Sequence, residues 1–196
     1  MGKPNIFLHS KLNFGEKIVL DRKRLQKIIK HCKGLGLKIV LTQGSWDLLH
    51  IGHARYMREA KKHGDLLIVG VDSDEKIKKR KGPERPIVPQ EERMEMVAHL
   101  SYVDLVTLKQ AKDPKWNLIK IIRPDVLIAT KRQEYTPKDV RELKKYCDNV
   151  KLLESQATTS TSAKIRLLQI STAQKLERSL TPKIIETIEK VLNAVK

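Results

Sequence analysis

The 196-residue chain sets 40 Lys and Arg against 23 Asp and Glu, a formal charge of +17, and only 4% of it is aromatic. That length suits one domain, or one domain with a helical appendage, and it buries a real core without disulfide staples. Cys32 and Cys147 stand alone, with no CxxC pair and no His at ligand spacing, which excludes a zinc ribbon and fits a reducing compartment. No stretch reaches the roughly 20 apolar residues of a membrane span, and the first residues lack a signal peptide's apolar run. A soluble, cytoplasmic protein is therefore expected. Basic residues are not interleaved with aromatic ones, which argues against nucleic acid as the partner of the charge. Most of the charge reads as a solvated surface, with 76–85 kept as a candidate phosphate-contacting cluster.

Residues 1–20 carry no clear period and are expected to form an extended lead-in. From Asp21 to His31, Leu25, Ile28 and Ile29 fall at helical spacing behind Asp21 as N-cap, and Gly34 and Gly36 stop the helix. The apolar run 38–42 suits a buried parallel strand. A loop over 43–47 then leads to a helix over 51–63 and a second strand over 66–71. Pro83, Pro86 and Pro89 mark a loop before a helix over 90–100. A strand at 103–108, a helix at 116–122, a strand at 126–129, a helix at 137–146 and a strand at 150–153 follow. Alternation of this kind implies right-handed βαβ units around a parallel sheet. In the tail, Thr181-Pro182 reads as a helix start with Pro at the first position. Ile184, Ile185, Ile188, Val191, Leu192 and Val195 then form one apolar face that wants burial against the domain or a second subunit.

The loop after the first strand ends in His50-Ile51-Gly52-His53, which opens a helix. Ligands of open α/β sheets bind outside the carboxyl ends of the strands, where helix N-termini offer free N–H groups and a positive dipole end. Gly52 leaves room for a phosphate to approach the backbone. The two imidazoles, three residues apart, can face one anion and stabilise charge on a phosphate oxygen, whether protonated or as neutral donors. One His near a helix start is more often a cap or a packing residue. The order strand, Gly44, polar turn, HxGH favours the phosphate site. No third ligand at suitable spacing supports a metal held by this pair. A hydroxyl-rich run at 158–162, followed by Lys164 and Arg166, exceeds what one cap needs and offers a second anion site. The run Lys78-Lys79-Arg80-Lys81-Gly82 is a third candidate.

Residues 42–53 resemble the signature of the HxGH nucleotidyltransferases, the cytidylyltransferase-like superfamily. The segments 64–74, 81–89, 92–93, 123–127 and 135–137, with the Thr/Ser run, are similar to the adenylyltransferase domain of bifunctional ADP-heptose synthesis enzymes. The likeness extends over about residues 20–170. It implies a Rossmann-like doubly wound parallel sheet with a nucleotidyltransferase domain over 21–171; the tail over 172–196 has no counterpart there and is expected, from its apolar stripe, to be a C-terminal amphipathic helix packing on the domain or a partner subunit. It further implies that the phosphate of a small phosphorylated substrate attacks the α-phosphorus of a nucleoside triphosphate, most simply ATP, releasing pyrophosphate. The expected acceptor is a sugar 1-phosphate such as heptose 1-phosphate, and Mg²⁺ rides on the phosphates rather than on protein ligands. By position, His50, His53 and Lys81 carry the catalysis. Gln43, Gly44, Ser45, Gly52, Asp72, Arg93, Thr159, Ser160, Thr161 and Ser162 hold the nucleotide, and Trp46, Asp47, Lys131 and Arg132 meet the acceptor.

Two departures bear on specificity. The heptose enzymes carry Asn-Gly-Cys-Phe-Asp where this chain has Gln43-Gly44-Ser45-Trp46-Asp47. Their Lys-Gly-Gly-Asp turn is replaced by Thr130-Lys131-Arg132-Gln133-Glu134, which loses two glycines and their close backbone approach. Cytidylyltransferases of glycerol 3-phosphate or phosphoethanolamine and FAD synthetases share the loop and are the rival enzymes; an RNA-binding protein and a non-catalytic scaffold are the rivals of another class. A homodimer through the tail is also expected.

Overall fold

The computed structural model describes residues 14–130, 135–154 and 161–194; the side chains of 161, 162, 164 and 192–194 lie outside that description. The chain divides into two compact units, Met1–Thr158 and Thr159–Lys196. In the first, β1 (Ile39–Gly44), β2 (Leu66–Asp72), β3 (Leu105–Lys109), β4 (Val126–Thr130) and β5 (Asn149–Leu153) form a parallel sheet in the order β3-β2-β1-β4-β5. α1 (Arg22–Gly34) precedes them, and between them run α2 (Ile51–Lys61), α3 (Asp74–Lys81), α4 (Gln90–Ala98), α5 (Asn117–Ile122) and α6 (Pro137–Leu143). This is the expected doubly wound sheet.

Strands β1 to β4 read as largely apolar runs because both faces are covered, and their successive residues feed different cores, whereas edge strand β5 is partly exposed. Val40, Leu67, Val69, Val106, Val126 and Ile128 pack with Tyr56, Met57 and Ala60 of α2 and with Met94, Val97 and Ala98 of α4. Ile39, Leu41, Leu66, Ile68, Leu105 and Leu127 meet α1 through Leu25, Ile29 and Cys32, and α5 through Leu118, Ile119 and Ile122. Burying each such aliphatic side chain contributes roughly 1.5–3 kcal/mol. The chain leaves β1 toward β2 on one side and later returns to β4 on the other, so a crevice opens between the carboxyl ends of β1 and β4.

Three features differ from the sequence expectations. Residues 14–19 are part of the fold rather than a free lead-in. Phe14–Lys17 makes a 3-10 turn, Ile18 bridges Val106, and buried Lys17 donates to the carbonyls of Ala98 and Val103 at 3.0 and 2.8 Å. The basic run after β2 is helix α3. Ser73 caps it by accepting from Lys76 N–H, Asp74 and Glu75 occupy its first turn, and its four last residues are basic, as the helix dipole favours. Its single buried apolar residue, Ile77, leaves no period to read. In the second unit, α7 (Thr161–Ala194) runs through Thr181-Pro182, so that Pro lies inside a helix instead of starting one, at the loss of one backbone N–H donor. Ile184, Ile185, Ile188 and Val191 are exposed on α7.

Candidate active site

The candidate residues from β1, α2, β2, α3 and α4 gather at the carboxyl edge of the sheet. Beyond Gly44 the backbone turns sharply, with Trp46 and Leu48 both at positive φ (51° and 48°). Non-glycine residues adopt that region at a cost, repaid here by burial and hydrogen bonds. The Trp46 ring packs over Gly44, where an added Cβ would lie 3.0 Å from the indole. Its Nε1–H donates to Gly70 O at 3.0 Å, and it meets the His53 ring edge-on with centroids 5.6 Å apart. At 6% exposure, Trp46 is buried against the His53 ring.

His50 is the N-cap of α2 and His53 its third residue, and each imidazole serves the helix start. Gly52 N–H donates to His50 Nδ1 at 3.1 Å, and His50 N–H donates to His53 Nδ1 at 3.3 Å. The rings stack with centroids 4.0 Å apart. A nitrogen that accepts from a backbone N–H carries no proton, so both rings hold theirs on Nε2. Burial first, then His50 and Lys81, lower the His53 pKa to about 4 against the opposing pull of Asp47. Of the two options open in the sequence, His53 is the neutral donor. Gly52 is buried, and its N–H is spent on His50.

Cations gather beside the turn between β1 and α2. Lys81, exposed at the end of α3, has a pKa lowered by burial of its ammonium and by Arg80 and Arg85, with Asp47 and Asp72 opposing. Arg80, half exposed, donates to Ser45 Oγ at 2.7 Å and to Asp72 Oδ2 at 2.9 Å. Lys109 lies 3.8 Å from Asp72 Oδ1. Asp72 is thus a buried anchor for cations, with only 2% of its side chain exposed. Asp47 is equally buried: it accepts from the N–H groups of Ile87 and Val88 and pairs with Arg85 at 2.6 Å. It holds the proline loop against the HxGH turn. Arg93, 1% exposed, does the same from α4. It donates to Ser45 O, to Val88 O at 2.9 Å, to Asp72 O at 2.8 Å and to Asp74 Oδ1 at 2.6 Å. Its guanidinium joins the ends of β1 and β2, the proline loop and α3, behind the surface a ligand would touch.

Gln43 is buried at the end of β1. Lys131, Arg132, Thr159 and Ser160, and the side chains of Thr161 and Ser162, lie outside the described residues. Two site residues went unnamed in the sequence reading: Arg80, seen only as part of a charge run, and Arg85, in the proline loop. Among the described residues no group of three or more His, Cys, Asp or Glu side chains converges to hold a metal ion. Asp47 and Asp72 are committed to cations.

A family model described as cytidylyltransferase-like matches residues 41–188, which takes in the HxGH loop, the cation-bearing α3 and the strands beside them. The chain belongs to the cytidylyltransferase-like family. Its chemistry is that of a nucleotidyltransferase. Among curated proteins, the chain is 37% identical over 153 residues to the bifunctional protein HldE of Nitratiruptor sp., covering 77% of this chain and 32% of that protein. It is 40% identical over 166 residues to HldE of Wolinella succinogenes, covering 83% and 34%. The chain spans about a third of the length of these relatives. A solved structure, the lipopolysaccharide core biosynthesis protein of Thermoplasma volcanium, superposes with a TM-score of 0.51 at 28% identity, over 61% of this chain and 97% of that one. Pantoate-beta-alanine ligase of Francisella tularensis, complexed with Beta-gamma ATP and Beta-alanine, shares the fold. Its TM-score is 0.57 at 16% identity, over 72% of this chain and 67% of that one.

Proposed function

We propose that this chain transfers AMP from ATP to a sugar 1-phosphate of the heptose 1-phosphate class and releases pyrophosphate. The observation that carries the reading is the reciprocal cap of α2, which stacks the His50 and His53 rings at a helix N-terminus with both Nδ1 atoms turned to the backbone. The acceptor phosphate oxygen forms a bond to the α-phosphorus as the bond to the bridging oxygen breaks, and the electron pair leaves with pyrophosphate. No side-chain nucleophile is needed. The two imidazoles donate to the oxygens on which charge develops, and Lys81 and Arg80 supply the cationic field. Asp47 and Arg93 act at one remove, by fixing the proline loop and the turn after β1. Asp72 fixes Arg80. Mg²⁺ bound to the phosphates would neutralise their charge.

The heptose class rests on the resemblance in segments 64–74 and 81–89 and on the likeness to HldE proteins. Thr159 to Ser162 are assigned to the triphosphate from that resemblance, and Lys131 and Arg132 to the acceptor from their place in the chain just after β4. The free thiols of Cys32 and Cys147 suit the cytoplasm. The exposed apolar residues of α7 suit a second copy of the chain; sedimentation of Ile184→Lys/Ile188→Lys as a monomer, with a dimeric parent, is the expected result. Pyrophosphate release is the test of activity. ATP, CTP, GTP and UTP, each with Mg²⁺, are crossed with heptose 1-phosphate, glucose 1-phosphate, glycerol 3-phosphate, phosphoethanolamine and FMN. Turnover confined to ATP with a sugar 1-phosphate is expected, and turnover confined to CTP or to a non-sugar acceptor overturns the reading.

A further inference from the structure

The amino-terminal edge of the same sheet, opposite the histidine pair, carries a second polar groove of about 410 Å³. It is lined by Lys38 before β1, Lys62 and His63 after α2, Asp125 before β4, and Asp148 and Lys151 around the start of β5. The size suits a small molecule. Part of the lining is cationic. Lys151 Nζ lies 3.4 Å from His63 Nδ1, and an ammonium has only donors, so the imidazole accepts there and keeps its proton on Nε2. Lys38 and Lys62 act on the same ring, opposed by Glu59 of α2, which binds Lys62 at 2.8 and 2.9 Å. Burial first, then these ammoniums, lower the His63 pKa. The same groove also holds acceptors. Asp125 spends one oxygen on Ile39 N–H at 2.6 Å, and Asp148 and Asn149 stand beside it on the groove wall.

We propose that this groove binds a small phosphorylated sugar or polyol. Its phosphate sits among Lys38, Lys151 and the His63 Nε2–H, and its hydroxyls donate to Asp148 and Asn149. Like charges held together around a neutral imidazole are relieved by an anion, while two carboxylates and an amide accept from hydroxyls and repel a second phosphate. That polarity favours a phosphomonoester over a polyphosphate. The site shares no residue with the histidine pair, so it stands whether or not the activity proposed above does.

The test is the Cε1–H resonance of His63 in the full chain, assigned with His63→Gln and followed against glucose 1-phosphate, inorganic phosphate and inorganic pyrophosphate. Glucose 1-phosphate is expected to shift the resonance saturably and to raise the His63 pKa. Lys151→Ala and Lys38→Ala, both exposed positions, are expected to weaken that response about tenfold, as loss of one charge-assisted bond does. Asp148→Ala should weaken glucose 1-phosphate and leave inorganic phosphate unchanged. A His63 resonance that stays still while those of His50 and His53 move overturns the proposal. So does tighter binding of pyrophosphate than of glucose 1-phosphate, or a response that survives both lysine variants.

Discussion

His53 and His63 flank the same helix, α2, at opposite edges of the sheet, and both have lowered pKa values with burial as the first cause. The rest differs. His53 is bonded into the helix start through the backbone of its partner His50, with Trp46 against its edge, so its proton-bearing nitrogen is fixed in place. The His63 ring meets the Lys151 side chain, in a groove that mixes long cationic arms with carboxylates. The comparison teaches that depressed basicity does not by itself mark a reaction centre. A backbone-fixed donor suits a short-lived charge that must be met without reorganisation, whereas flexible ammoniums suit a ligand that settles.

The sharpest way to break this contrast is to remove the fixed donors. His50→Ala and His53→Ala are each expected to lower kcat by about 100- to 10,000-fold, the range for a lost transition-state donor or acid–base group. His50→Ala also deletes the α2 cap, at about 1 kcal/mol of stability. His63→Ala should leave kcat within about twofold. Steady-state pyrophosphate release on folded variants measures all three, and equal losses at His53 and His63 would void the distinction.

Next in size is the latch behind the fixed donors. Arg93→Met leaves the carbonyls of Ser45, Asp72 and Val88 without their donor and Asp74 without its cation. Breaking such a buried network costs about 3–5 kcal/mol. Arg93→Lys keeps the charge but not the fork and is expected to recover only part of it. Urea midpoints decide this, and a loss under about 1 kcal/mol for Arg93→Met would mean that the loops hold without it.

The fold was largely legible because β1 to β4 are largely aliphatic runs bounded by punctuation, such as Gly36 before β1 and Pro124 before β4. Asp21 was read as a cap and does cap α1, accepting from Arg24 N–H. Helix α3 escaped because Ile77 alone faces the core, although Ser73-Asp74-Glu75 and the closing Gly82 (φ 96°) were signals of its ends. At the site, the HxGH pair was visible as a local pattern. The roles of Arg93 and Trp46 were not, since a guanidinium that joins segments 48 and 21 residues away and an indole folded back over Gly44 are tertiary facts. Arg80 was hidden among its neighbours: one residue of a basic helix turn points to Ser45 and Asp72, and spacing alone does not say which.

The smallest effect is the most specific to His53. Its pKa in the folded chain, about 4, lies below the unfolded value of about 6.5, so the fold favours the neutral ring. As pH falls below about 6.5 the unfolded chain takes up this proton first, and stability is lost progressively down to about pH 4; above 6.5 the contribution is fully present. Part of it is screened, because the ring is not fully buried. Urea midpoints of the parent and of His53→Gln at pH 7 and pH 5 isolate the effect. The parent should lose more stability over that interval than the variant, while the other titrating groups cancel in the difference. Equal losses would place the His53 pKa near its ordinary value. The ring would then be charged at pH 5, and its Nδ1 could no longer accept from the His50 N–H that fixes the donor.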